Sequence, residues 1–461
     1  MNLGPYNLLM DFALMSVLLF VSQFLRAKVK LIQKLLLPSS LIAGFLGLFL
    51  GKQFLNIIPF TDVISSYPYL LVVFLFSSLF IGNNQKSTLK QIMNDVGDTF
   101  LLNTAVYFGQ YAFALLLGGA FLLTMFPEIQ QSFALLMPGG FIGGHGAAAA
   151  FGGAFKELIG WEEALPIGQT FATIGLLVGT IGGIIVINIG TRTKSTRFIK
   201  TMNELPESMQ TGLVPEIEQE SMGKNTVSPM SIDPLTWHLV LVLMATCAGY
   251  YITNYLQKLF PSLSIPMFSV AMICGVILQS LLKVLKLTPY VNKEVITRIG
   301  SSATDYLVGF GIASIKISVV LQYLVPIIVM SLIGIVFVVL YLYFISRKMF
   351  KNFWFERGIF IFGWSTGVVA IGVTLLRIVD PEFKSKALED YGMAYVLMSF
   401  VEIGLIAILP SLMVNGLGFV AGFVCLAIFI VLLLIAKKKY GVFKGKAGDL
   451  RPGEAEILAN S

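Results

Sequence analysis

The chain has 461 residues, of which 56% are hydrophobic and only 12% charged, with a net charge of +7. A water-soluble fold of this length has no use for so much apolar surface, and repeated apolar runs of about twenty residues mark a polytopic helical membrane protein. The basic residues sit in short clusters between those runs, so they read as membrane topology and exclude a nucleic-acid surface.

The first run, Leu8 to Leu25, follows no basic residue and precedes no small-residue cleavage site, so it reads as a membrane helix and not as a signal peptide. Further spans are expected near 36–55, 68–83 and 99–126. Then comes Pro138 to Phe155, PGGFIGGHGAAAAFGGAF, with seven glycines and five alanines in eighteen residues. A segment so rich in glycine enters a bilayer only where its backbone groups meet protein or water, because each unsatisfied group in hydrocarbon costs several kcal/mol. Residues 133–156 therefore read as a re-entrant hairpin that turns near Gly143, Gly144, His145 and Gly146 beside a cavity. The competing reading is close helix packing through small residues at four-residue spacing, such as Gly139 and Gly143.

A span at 165–190 completes an N-terminal repeat, 1–190. The polar stretch 191–234, basic at first and then acidic, is a linker. The C-terminal repeat, 235–410, has spans near 235–256, 264–285, 300–320 and 322–345, a second interrupted segment at 356–378 and a span at 391–410. Residues 411–461 add an extra span, 416–436, and a basic tail. The three cysteines, Cys247, Cys274 and Cys425, have no metal or redox spacing.

With the N-terminus outside and each hairpin returning to the side it left, 27 of the 32 Lys and Arg residues lie on the inside and three outside. That asymmetry places the C-terminus in the cytoplasm, and counting a hairpin as a full crossing destroys it. Both halves show the same order of parts: a Pro-containing span (Leu37-Pro38, Ile265-Pro266), a span with a polar break, a long apolar span, a glycine-rich hairpin and a last span. Each half crosses five times, so the second is inverted relative to the first. Inverted repeats with matching breaks are the architecture of secondary transporters, with solute and ions held where the breaks meet. The expected fold is thus an all-α polytopic membrane protein: two inverted five-span repeats, each with a re-entrant hairpin, plus one extra C-terminal span.

The second break, GWSTGVVAIGVT, offers hydroxyls at Ser365 and Thr366 and an unwound backbone at Gly367. Helix ends there present N–H groups to an anion, while freed carbonyls hold a small cation. Back-bonding of the hydroxyls within a helix is the plain alternative. Asp305, Lys316, Arg377 and Glu402 sit where a charge is expensive, roughly 2.5–3.5 kcal/mol at a helix centre. Arg377 is positioned to clamp a carboxylate or else to pair with Asp380. Asn83 and Asn84 carry amide oxygens that suit sodium but also cap helices. His145 is read as fixing the hairpin turn. Gly143, Gly144, His145, Gly146, Ser365, Thr366, Gly367 and Arg377 are the substrate candidates. Asn83, Asn84, Asp305 and Glu402 are the ion-coupling candidates, with Asn83, Asp305 and Thr366 as sodium ligands.

At GGHGAAAAFGGAF, 143–155, the chain resembles the glutamate:sodium symporter family, whose first hairpin carries a GGHG-type signature followed by small residues. Span order, the linker after the fifth crossing, Ile265-Pro266 and the Lys316 region look similar too. The resemblance implies a homodimeric carrier in the inner membrane, working elevator-fashion, that imports glutamate or a related anionic amino acid with sodium as coupling ion and no other cofactor. The second hairpin, Arg377, Asp305 and the extra span depart from the family pattern. Those departures keep another carboxylate or organic anion, coupled to sodium or to protons through Asp305 or Glu402, as the alternative. A membrane enzyme is disfavoured, since no span carries a His-Glu zinc motif, paired aspartates or a Ser-Lys dyad at helical spacing. A channel is the third class, because glycine-rich segments also build filters.

Overall fold

In the computed structural model, residues 5–35, 37–82, 96–198, 211–219, 221–259, 267–380, 383–446, 448–451 and 454 are described. They form helices and turns, with no strand among the described residues. The first half comprises α1 (Pro5–Lys28), α2 (Lys30–Leu35), α3 (Ser39–Leu50), α4 (Tyr67–Ser78), α5 (Gly97–Met125), α6 (Phe133–Ile142), α7 (Gly144–Ile159) and α8 (Ala164–Arg192). The second comprises α9 (Pro234–Leu259), α10 (Met267–Val284), α11 (Lys293–Ala313), α12 (Ile317–Gln322), α13 (Leu324–Met349), α14 (Trp354–Val379), α15 (Ala387–Val414) and α16 (Gly418–Tyr440). Eight of these, α1, α5, α8, α9, α13, α14, α15 and α16, contain a stretch long and apolar enough to cross a membrane. The protein is a multi-pass membrane protein.

Length alone misreads α14. Its backbone leaves the helical region at Gly367 (φ −141°, ψ 32°) and Val368 (φ 69°, ψ 166°), so two shorter helices meet at a break. The chain doubles back there, since a Cβ on Gly363 would lie 2.8 Å from Cα of Gly372. The glycine-rich stretch doubles back as well. Gly143 caps α6, Gly144 takes φ +58°, and Trp161 packs on both Phe133, at the start of α6, and Phe155, near the end of α7. At ten residues, α6 is about 15 Å long, half the hydrocarbon thickness. All ten of its residues are buried in protein.

The small residues divide by position into turn and packing. Gly144 supplies the turn. Gly140 lies against the backbone of Phe171 and Ala172, and Gly152 against that of Leu165, so each lets α8 approach too closely for a side chain.

Packing sorts the helices into two groups that cut across the sequence halves. In one, α1 packs on α3, α3 and α4 pack on α11, and α4 packs on α10, which lies on α9. In the other, α8 holds α6 and α7, α14 lies on α8, α15 on α5 and α7, and α16 on α5. The groups meet where α4 and α11 press against α7 and α8. Within the first group the buried Asp11 of α1 accepts from the Thr61 amide at 2.9 Å, the Thr61 hydroxyl and the Tyr67 hydroxyl at 2.7 Å. A buried carboxylate with three donors is a fixed strut, and it ties α1 to the segment that leads into α4.

One boundary is corrected substantially. The span expected at 300–320 begins at Lys293 and ends at Ala313, because the Asn292 side chain caps it by accepting from the Val295 amide at 3.0 Å. Its polar first turns, with Lys293, Glu294, Thr297 and Arg298, hide the start of the helix from a search for apolar runs.

The left-handed φ at Val368 is strained for a β-branched residue, whereas at Gly144 it is not. Val368→Gly is therefore expected to raise the melting temperature of the detergent-solubilised protein, and Gly144→Ala to lower its stability by roughly 1–2 kcal/mol. A Gly144→Ala protein that melts at or above the parent temperature would contradict the turn.

Candidate functional site

The two breaks touch. A Cβ on Gly144 would overlap Cγ1 of Val368, so the turn between α6 and α7 rests on the break in α14. Beside this contact is a cavity of about 340 Å³, at the boundary between the two helix groups. Gly143 and Gly146 from the turn, Leu75 and Phe80 at the end of α4, Lys293 of α11, and Tyr395 and Glu402 of α15 line it. Its walls are mostly apolar, and its charged lining residues are one lysine and one glutamate.

Lys293 is held by the end of α4. Its ammonium donates to the Leu79 carbonyl at 2.8 Å and the Ile81 carbonyl at 3.1 Å. These carbonyls lie just past the C-terminus of a helix, where the peptide dipoles leave negative partial charge. An ammonium has three donors, so one remains for the cavity. Lys293 also begins α11, where the helix dipole opposes a cation, so the lysine is stabilised by α4 and not by its own helix.

Glu402 is fixed through aromatic side chains. The Tyr395 hydroxyl donates to its carboxylate at 3.1 Å, and the Tyr107 hydroxyl donates to its backbone carbonyl at 3.4 Å. Tyr395 stacks on Tyr391, with 5.3 Å between centroids, and Tyr391 meets Trp364 edge-on at 5.7 Å. Trp364 directly precedes Ser365 and Thr366, so an unbroken ring cluster joins the break in α14 to the carboxylate on α15.

His145 is buried, with Nε2 3.1 Å from the Thr173 hydroxyl. Thr173 donates its single proton to the Gln169 carbonyl at 2.8 Å, so the imidazole must donate from Nε2 to Thr173. Gln169 returns the link by donating from Nε2 to the His145 carbonyl at 3.2 Å. Its own side-chain oxygen, fully buried against Gly311, meets no donor among the described residues. His145 thus fastens α7 to α8.

The other predicted residues fall in different places. Ser365 and Thr366 are fully buried and back-bond to the Phe362 carbonyl at 3.4 and 2.7 Å. Gly367 is buried in the break against α8. Arg377 lies ten residues beyond Gly367, about 15 Å along the helix, with its guanidinium over the Phe383 ring at 5.2 Å. Asp305 lies on an exposed side of α11 beside Ser40 of α3, away from the cavity lining, and Lys316 caps α12. Asn83 and Asn84 lie outside the described residues. The cavity therefore unites Gly143, Gly146 and Glu402, with Gly144 and His145 adjoining, and leaves Asp305 and Arg377 apart.

The model of the sodium/glutamate symporter family matches residues 5–355. The chain belongs to that family. No curated protein gives a significant match. As a sodium/glutamate symporter relative, the protein is a sodium-coupled transporter. The matched stretch includes the GGHG turn and Lys293 and stops at the start of α14, so the second break, Glu402 and α16 lie beyond it. Lys293, the Tyr–Trp cluster and Gln169 escaped sequence reasoning. A lysine as the first residue of a helix, against the dipole, was the available signal for the first of them.

Thr173→Val removes the acceptor for a buried imidazole N–H and is expected to lower stability by about 1–3 kcal/mol, with Thr173→Ser restoring it. Equal thermal unfolding curves for the Val and Ser variants in detergent would refute the His145 linkage.

Proposed function

We propose that this symporter imports glutamate or a related anionic amino acid with sodium, and that the cavity between Gly143, Lys293 and Glu402 receives the substrate. The observation that carries the reading is the presence of one cation and one anion in a small cavity beside the meeting point of two backbone breaks. An amino acid has a carboxylate for the Lys293 ammonium and an ammonium for Glu402, and about 340 Å³ lies at the small end of ligand cavities. The remaining carboxylate would meet N–H groups at the turn, near the start of α7.

The helix–turn–helix formed by α6 and α7 and the broken α14 act in this reading as re-entrant hairpins of two inverted repeats. The exchange of partners supports it: α3 of the first half packs on α11 of the second, and α10 of the second on α4 of the first. The helix group bearing the hairpins slides against the other, carrying the cavity from one face to the other by an elevator motion. The positive-inside count supports an outside N-terminus and a cytoplasmic C-terminus in the inner membrane. A homodimer would hold the other group fixed. Sodium sits among oxygens at the hairpin tips, where the Thr366 hydroxyl, freed carbonyls and the donor-free oxygen of Gln169 are available.

Glu402 in the cavity favours one second reading, in which a proton carried by that carboxylate replaces or joins sodium, with another carboxylate as cargo. Uptake of labelled glutamate into proteoliposomes under separate sodium and pH gradients distinguishes them. Sodium-driven uptake is expected, and uptake driven by a proton gradient without sodium would overturn the sodium assignment. Lys293→Gln should raise the KM for glutamate about tenfold or more, the loss of one charge-assisted hydrogen bond. An unchanged KM would remove Lys293 from the substrate. Gln169→Leu should raise the sodium concentration for half-maximal uptake, and an unchanged sodium dependence would remove Gln169 from the ion site.

A further inference from the structure

Between α5, α13 and α16 runs a groove of about 690 Å³ whose lining is almost wholly apolar. Leu117, Val336, Leu340 and Phe344 stand in it about half exposed. Through Phe344 it continues into a depression of about 330 Å³, where Ile430 and Leu434 give way to Lys348 and Lys437, and no acidic residue lines it. Among the described residues neither ammonium belongs to an ion pair.

Backbone irregularity shapes the groove. Residues 114–118 of α5 and 341–346 of α13 are π-helical, and Leu117, Tyr341, Phe344 and Ile345 from these turns line it. A π turn widens the helix locally and is frequent at functional sites. The chain beyond α16 then closes the charged end. The Phe443 amide donates to the Lys348 carbonyl at 2.8 Å, which brings Val442 to the rim beside Lys437. On α13 the lining runs from Val329 to Lys348, nineteen residues or about 28 Å along the helix, close to the ~30 Å hydrocarbon core.

We propose that this groove holds an anionic phospholipid, with an acyl chain along α13 and α16 and its phosphate between Lys348 and Lys437. An apolar trough that ends in two cations, neither in an ion pair among the described residues, matches a lipid with a chain and a negative headgroup. A zwitterionic lipid would fill the trough but leave the charge uncompensated. A two-fold contact with a second copy sets the same patch against itself, and this patch holds two lysines with no acid to pair them. All of α13 lies within the family match, while α16 lies beyond it, so the groove is built in part by the added helix.

The test reads lipid retention on the purified full-length chain and is independent of any transport assay. Delipidated protein is titrated with dioleoyl phosphatidylglycerol or dioleoyl phosphatidylcholine and examined by native mass spectrometry. Retention of phosphatidylglycerol is expected to exceed that of phosphatidylcholine by roughly tenfold or more, the preference two lysines confer at a membrane surface. The double variant Lys348→Gln, Lys437→Gln should abolish the preference, and Lys438→Gln, outside the groove, should retain it. Val336→Trp, which fills the trough, should reduce retention of both lipids. Equal retention of the two lipids by the parent protein, or an unchanged preference in the double variant, overturns the proposal. So does a Val336→Trp variant that separates copies of the chain without changing lipid retention.

Discussion

A peptide group without a partner is tolerated in water and scarcely at all in hydrocarbon, and the centre of this protein is arranged around that inequality. At Gly143–Gly144 and at Gly367–Val368 the helical ladder stops, freeing amides and carbonyls in the interior of an apolar fold. The breaks are tolerable because they are covered by protein: each tip leans on the other, and the glycines of α8 bring its backbone against both. Gly175 lies against the Thr366 carbonyl and Gly179 against the Thr366 hydroxyl. Small residues thus serve in two places, at the turns themselves and along α8, where they let its backbone bury both breaks.

Polar groups released at such a place are an asset to a carrier. Lys293 reaches the cavity by leaning on the carbonyl end of α4, in the helix group opposite the hairpin turn. Glu402 reaches it from the group that contains the turn, steadied by Tyr395 and the ring cluster running back to Trp364. The two charges thus belong to different packing groups. On the elevator motion proposed above, displacement of one group against the other would change the distance between them, which would link occupancy of the cavity to the position of the two turns. A solute that neutralises both charges lowers the electrostatic barrier to moving them through a low-dielectric region.

Where the sequence was informative, local chemistry dictated the outcome. Glycine density at 138–155 announces a turn, and its surplus over any turn's need announces close packing; the chain turns at Gly144 and packs closely at Gly140 and Gly152. The WSTG stretch likewise marks the break in α14 because Gly367 is its weakest helical residue. Lys293 was invisible for the opposite reason: it stands among topogenic charges, and its partners Leu79 and Ile81 lie more than 200 residues away in sequence. The polar opening of α11 hid the start of that helix, which the Asn292 cap sets at Lys293. Arg377 illustrates the converse, since its proximity to the second break in sequence becomes about 15 Å once a helix intervenes. Aromatic residues spread over α5, α14 and α15 carry no pattern that sequence spacing reveals, although together they hold Glu402.

The most direct test of this account is a single-particle density map of the protein with sodium and glutamate. Density for the amino acid is expected within the cavity at Gly143 and Gly146, with its carboxylate toward Lys293 and its ammonium toward Glu402, and with both broken helices turning back at their tips. Glutamate bound elsewhere with this cavity empty, or α14 running through as one regular helix, would contradict it.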